Sequence, residues 1–383
     1  MRIYVTGLGA LSCLGESVVA HREAFRRGWS GIRQFGHARQ GLPHDGYGGL
    51  VCGYPEKDDL SRGARMLGQV INEAWMQAGL PQMAAADVFI GSAHGNLDLW
   101  KRARERGDAV PARRLWDVRS PALEAIIATP RVTIFSTACT ASSVAVKQAM
   151  SFLQTGRASL AVVAGFDLLS EFVYRGFSSL KSLASTICRP FDRNRDGLTL
   201  GEGAAAIVME TEKHLMARGG MPLAELVACG FSADGVHLTA PDPCGRGACT
   251  ALRTAMTGVQ DQDEIPAFIN LHGTGTHVND LMEGKAVQRV FGERADQIAL
   301  TSTKPLTGHL CGAAGIMEVL STILSLQDRI VPPVLGLTEP DEELAGLSFV
   351  TGRGRVLSGN TAVTMNSGFG GTNTAIYIRS HSA

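Results

Sequence analysis

Apolar and polar positions along the chain alternate between two periods. Short apolar runs at residues 2–6, 87–91, 132–135, 160–164 and 204–209 read as buried strands. Residues 17–27, 61–78 and 144–150 instead repeat apolar positions at helical spacing, and the second of these segments breaks at Gly79-Leu80-Pro81. Thr6-Gly7-Leu8-Gly9 reads as a Gly-rich turn after the first strand, and 32–56 as an irregular loop or short hairpin. Near Pro222 the pattern restarts, with strands over 224–229, 267–271 and 298–302 and helices over 250–259, 281–291 and 312–327. This alternation predicts mixed sheets covered by helices. The restart predicts two pseudo-equivalent α/β halves joined at about 218–225, since no self-similarity at about 20–50 residues is visible.

Composition narrows the partners. Lys plus Arg equals Asp plus Glu at 36 each, so no global field draws the chain to nucleic acid or an anionic membrane. An acidic partner must be met by a local patch, and Lys101, Arg102, Arg104, Arg106, Arg113 and Arg114 form one candidate. The N-terminus lacks a basic stretch followed by a long apolar one, and runs such as 159–165 are far too short to span a bilayer. Eight cysteines lie scattered without paired spacing, which fits reduced thiols and a cytoplasmic location. Cys244 and Cys249 lack companion ligands, so no metal is expected there.

The candidate chemistry sits at strand ends. The run Val132-Thr133-Ile134-Phe135 stops at Ser136-Thr137-Ala138-Cys139, and a helix follows. A thiol at a helix N-terminus is expected to have a lowered pKa, toward a nucleophilic thiolate. Another predicted strand ends in His272-Gly273-Thr274-Gly275-Thr276, and the next in Lys304-Pro305-Leu306-Thr307-Gly308-His309. A glycine-dense turn runs from Met365 to Asn373. In parallel architectures such ends gather at one edge, where one Cys and two His could share a pocket.

These motifs resemble those of the elongating β-ketoacyl-(acyl carrier protein) synthases, condensing enzymes of the thiolase-fold superfamily. Thr137-Ala138-Cys139-Thr140, residues 189–197 with Gly201-Glu202-Gly203, residues 272–276, residues 304–309 with 312–315 and Glu318, and residues 366–373 follow the family's order. The resemblance implies an α/β thiolase-like fold: mixed five-stranded sheets in a layered αβαβα arrangement, with a nucleophile half over 1–222 and a histidine half over 223–383. It implies decarboxylative Claisen condensation in fatty-acid or type II polyketide or polyene synthesis. Cys139 would carry the acyl group, and neutral His272 and His309 would donate to the enolate left by malonyl-carrier protein. The N–H groups of Cys139 and Phe369 would hold the second oxyanion, with Phe369 also a gate over the acyl pocket. Lys304 and Glu318 would pair behind the histidines, with Asp280 near that lysine.

No tightly bound cofactor or metal is implied, because substrates ride on the phosphopantetheine of the carrier protein. Implied partners are acyl carrier protein, docked on Arg62, Arg65, Arg102 and Arg104, and a second subunit in a homodimer or a heterodimer with a ketosynthase-like chain-length factor. Thiolases carry a second catalytic cysteine in the C-terminal glycine turn, and residues 366–373 contain none. The stretch from Ser92 to Cys139 is shorter than in typical members, and His277-Val278-Asn279 replaces the usual Pro and Gly. Two other readings use the same residues: acyl transfer from Cys139 to an alcohol or amine, and a scaffold that controls a partner's chain length.

Overall fold

Gly7 and Gly9 lie inside the first strand rather than in a turn. A Cβ on Gly7 would come within 1.9 Å of the Ala74 carbonyl oxygen, and one on Gly9 within 1.9 Å of that of Val70. The glycines therefore let the helix Arg62–Gln77 press against the strand, and β1 runs unbroken over Ile3–Ser12. This is where the sequence expectation of a turn over 6–9 fails. The computed structural model describes residues 1–36, 41–54, 61–108, 115–118, 121–259 and 264–381.

The first half contributes β1, β2 (Ala84–Gly91), β3 (Ile127–Phe135), β4 (Leu160–Asp167) and β5 (Gly203–Thr211). They lie in the order β3-β2-β4-β5-β1. The second half contributes β6 (Ala224–Ala233), β7 (Phe268–Asn270), β8 (Ala299–Thr301), β9 (Thr361–Gly368) and β10 (Thr372–Ser380), in the order β8-β7-β9-β10-β6. Within each half the third strand is at one edge and the first at the other, and the second strand runs parallel to both its neighbours. The two sheets meet where Tyr4 and Val5 pair antiparallel with Glu225 and Ala224. A short strand, Ser348–Phe349, extends the outer edge beside β8.

Helices sort into layers by burial. Here α1 is Val18–Arg27, α2 Arg62–Gln77, α3 Leu97–Arg106, α4 Ala141–Gln154, α5 Glu171–Ser179, α6 Arg246–Met256, α7 His277–Phe291 and α8 Ala314–Asp328. Every residue of α8 from Ala314 to Leu326 is buried. With α4, α8 shares a core cluster drawn from both sheets, including Ala145, Val146, Ile316, Leu320, Ala161, Ile207, Phe268 and Ile376. Apolar residues on α2 cover the outer face of the first sheet, and those on α6 and α7 cover the second.

Helix α7 begins four residues earlier than its apolar spacing predicts, at His277 rather than 281. Its first turns bury the polar Asn279, Asp280 and Glu283, which hide the periodicity. Similarly, α6 begins at Arg246, directly after Gly245 in the left-handed region at φ 63°. No helix among the described residues is long and apolar enough to cross a membrane.

Candidate active site

Cys139 follows β3 in a single 3-10 turn, Ala138–Thr140, that leads into α4. Ala138 adopts φ 50°, a left-handed conformation that turns the chain sharply out of the strand. Gly368, at the end of β9, lies against this turn: a Cβ there would stand 3.2 Å from the backbone nitrogens of both Cys139 and Thr140. The Cys139 Sγ is 3.0 Å from His309 Nε2, and the Phe369 amide also donates to it.

Helix entry does not lower this thiol. Cys139 is buried, and loss of water pushes its pKa up to about 12, with Lys304 opposing the shift. The expectation from helix position alone is corrected on this point: burial moves this thiol the opposite way.

His309 is fixed through its backbone, donating to the Thr199 carbonyl at 2.7 Å and accepting from Gly201 N at 3.0 Å. The His272 ring meets it edge to face, with centroids 5.2 Å apart and planes at 87°. Burial and the nearby Lys304 charge hold both imidazoles well below their ordinary pKa, so both are neutral near pH 7.

Behind His272 stands a buried polar cluster. Lys304 Nζ lies 2.9 Å from His272 Nδ1 and pairs with Glu318 Oε1. Asn366 Nδ2 reaches His272 Nδ1 at 2.8 Å and Glu318 Oε2 at 2.9 Å. Since a carboxylate accepts, the amide must face Glu318 with its NH2, and His272 Nδ1 accepts from two donors. The ring proton is then on Nε2, away from this cluster. Burial pushes Glu318 up to about 7, while Lys304 and Asn366 pull against it.

Asp280 acts on the backbone of the site. Its carboxylate accepts from Phe191 N at 2.8 Å and Gly275 N at 3.2 Å and approaches Arg195 Nε at 3.5 Å. Among the described residues, no hydrogen bond or ion pair links it to Lys304. It braces the 272–276 turn against the 189–197 loop. Glu283 does the closer work, accepting from His272 N and Gly273 N at 2.7 Å each. Sequence reading missed Glu283 and the role of Asn366. The signal for Glu283 was its spacing, one helical turn after Asp280 on the face that looks back at His272. His277, at the exposed start of α7, bonds to Arg195.

Phe369 stacks on Phe177 of α5, with centroids 5.8 Å apart and planes at 27°. The expected docking residues divide. Arg62 is buried, forks onto Glu202 at 2.8 and 2.7 Å and donates to the Val51 and Tyr54 carbonyls, so it cannot meet a partner. Arg102 has 12% of its side chain exposed and leans on Asp98. Arg65 lies over the Tyr54 ring, and Arg104 is exposed over Trp100. Arg113 and Arg114 lie outside the described residues.

Residues 1–214 match the β-ketoacyl synthase N-terminal domain, and residues 223–338 its C-terminal domain. The chain belongs to the β-ketoacyl synthase family. It is 32% identical to 3-oxoacyl-[acyl-carrier-protein] synthase 2 of Vibrio cholerae, over 99% of each chain. The same enzyme of Vibrio harveyi is 31% identical, over 99% of this chain and 98% of that one. Among solved structures, the ishigamide ketosynthase/chain length factor superposes with a TM-score of 0.88 at 25% identity, covering 100% of this chain and 99% of that one. A ketosynthase in complex with its chain length factor from Xenorhabdus doucetiae gives 0.82 at 27% identity, covering 99% and 98%. The fold is therefore the thiolase-like one of the family's ketosynthases.

Proposed function

We propose that the protein is a β-ketoacyl-carrier-protein synthase in which Cys139 holds the growing acyl chain, with 1–222 the nucleophile half and 223–383 the histidine half. The observation that carries this reading is the buried triad: the Cys139 sulfur 3.0 Å from His309 Nε2, with His272 edge-on to the His309 ring.

In the first step the Cys139 sulfur attacks the acyl thioester of a carrier protein. The bond to the pantetheine sulfur breaks, and that sulfur leaves as a thiol with the proton Cys139 gives up. Malonyl-carrier protein then enters, its carboxylate leaves as carbon dioxide, and the bonding pair becomes an enolate. The Nε2–H groups of His272 and His309 stabilise the enolate oxygen. The enolate carbon attacks the Cys139 thioester, with the N–H groups of Cys139 and Phe369 on the new oxyanion. Collapse gives a 3-oxoacyl thioester and returns Cys139, which takes a proton from solution.

Lys304, Glu318 and Asn366 orient His272, and Glu283 and Asp280 set the turn that carries it. The Phe369–Phe177 stack closes the site, and glycines beside Phe369 let its turn move. A carrier protein brings both substrates on phosphopantetheine, docking on exposed basic residues such as Arg104, and a second synthase-like subunit completes the assembly. The cysteines and the absence of a membrane-crossing helix among the described residues fit a cytoplasmic enzyme.

The test is product analysis with acyl- and carboxyl-labelled malonyl-carrier protein. The reading expects one carbon dioxide per 3-oxoacyl product, and neither from Cys139→Ala. Acyl transfer to an alcohol or amine without carbon dioxide release would overturn it.

A further inference from the structure

We infer that His277 is a positioning residue for His272: its imidazole holds the Arg195 guanidinium beside Asp280, and that carboxylate sets the backbone of the turn that carries His272. This rests on the condensing-enzyme reading above.

His277 opens α7 with its side chain exposed, in the stretch where Pro and Gly are usual. Arg195 Nη2 donates to His277 Nδ1 and to the His277 carbonyl, at 3.1 Å each. A guanidinium only donates, so Nδ1 accepts and the ring proton is on Nε2. A proline at this position would offer Arg195 the carbonyl alone.

Arg195 has 0% of its side chain exposed. Its Nη1 donates to Asp341 Oδ2 and to the Asp192 carbonyl, at 2.8 Å each. Its Nε approaches Asp280 Oδ2 at 3.5 Å but makes no hydrogen bond among the described residues. The cation therefore acts on Asp280 through its charge, and the bonds at Nη1 and Nη2 decide where that charge sits.

Asp280 passes the constraint to the backbone. Its Oδ2 accepts from Phe191 N at 2.8 Å and its Oδ1 from Gly275 N at 3.2 Å. Phe191 is held at φ 64°, a left-handed conformation rare for a bulky residue. Its ring stacks on Phe349 with centroids 4.7 Å apart, and a Cβ on Gly273 would fall 3.0 Å from Phe191 Cε2. One strained aromatic thus lies against the residue that follows His272. Burial pushes Asp280 up to about 6, while the Phe191 amide and the Arg195 charge pull it back toward the ionised form that accepts from both N–H groups.

His277 touches no reacting atom in this role. His277→Ala leaves a buried Nη2 hydrogen without its side-chain acceptor, and the guanidinium is free to shift. His277→Asn offers an amide oxygen to the same hydrogen and keeps the acceptor.

The test measures carbon dioxide release from malonyl-carrier protein, as kcat and KM, beside Cys139 acylation by hexanoyl-carrier protein, in wild type, His277→Ala and His277→Asn. His277→Ala should lower kcat for carbon dioxide release by about tenfold with KM unchanged, because His272 meets the enolate rather than the bound substrate. Acylation, which does not use His272, should stay within about twofold, and His277→Asn should bring kcat back to within about twofold of wild type. Equal kcat in all three proteins, a higher KM with kcat unchanged, a parallel loss of acylation, or no rescue by His277→Asn overturns the inference. A wild type that forms no Cys139 adduct and releases no carbon dioxide would instead contradict the condensing-enzyme reading itself.

Discussion

Asn366 donates to Nδ1 of His272 at 2.8 Å while its other amide hydrogen satisfies Glu318 at 2.9 Å. With Lys304 Nζ at 2.9 Å from the same nitrogen, it holds the tautomer of a histidine that must present Nε2–H to the enolate. Asn366→Asp replaces one of the two donors with an acceptor that competes with Lys304 for Nδ1 and favours a ring proton there. Decarboxylation of malonyl-carrier protein should fall by about 10²-fold, the cost of losing one preorganised donor. Acylation of Cys139, which does not use that donor, should fall far less. Carbon dioxide release and adduct formation, measured side by side, check the split.

The Cys139 thiol offers a pH test. Its pKa is raised to about 12 by burial, so its thiolate fraction should climb about tenfold per pH unit from 7 to 10 with no plateau. Alkylation by iodoacetamide, read by mass at Cys139, should follow that slope. A plateau near pH 7 would show a lowered thiol instead. Lys304→Met removes the charge that opposes the shift and should slow alkylation further.

Much of the scaffold was legible because it rests on period. The alternating apolar runs located the strands, the restart near Pro222 matches a second sheet with the same strand order, and the strand-end motifs located Cys139, His272 and His309. What was illegible depends on three-dimensional neighbours. Gly7 and Gly9 look like turn residues until α2 is seen pressed against them. Arg62 looks like a surface cation until Glu202, far away in sequence, is found opposite it. Helix position argued for an acidic thiol, and burial, which no local pattern reveals, reversed it.

Arg62 and Glu202 supply a stability prediction. The two side chains are 5% and 0% exposed, so Arg62→Ala removes the cation from a buried carboxylate that still accepts from Val51 N and Leu169 N. Breaking such a pair costs about 3–5 kcal/mol, which a urea titration would show as a lower midpoint. Arg104→Glu changes an exposed residue and should leave the midpoint in place while weakening carrier-protein binding.

His21 gives the fold an acid-sensitive point. Its ring is buried between Ser12 Oγ at 2.7 Å and the Ser17 carbonyl at 2.8 Å, and burial lowers its pKa to about 4. The unfolded chain binds a proton near pH 6.5 that the folded one refuses until about pH 4. Stability from this group is therefore full above pH 6.5 and lost as pH falls toward 4, by about 3 kcal/mol. Unfolding free energy measured across that window should fall in wild type, and fall less in His21→Gln.

The most direct measurement is intact-mass analysis of the protein exposed to acyl-carrier-protein thioesters and then to malonyl-carrier protein. The expected result is one acyl adduct, mapped to Cys139 and absent from Cys139→Ala, that disappears as a 3-oxoacyl product two carbons longer forms. An adduct on another cysteine, or one at Cys139 that malonyl-carrier protein leaves untouched, would contradict a condensing role for this site.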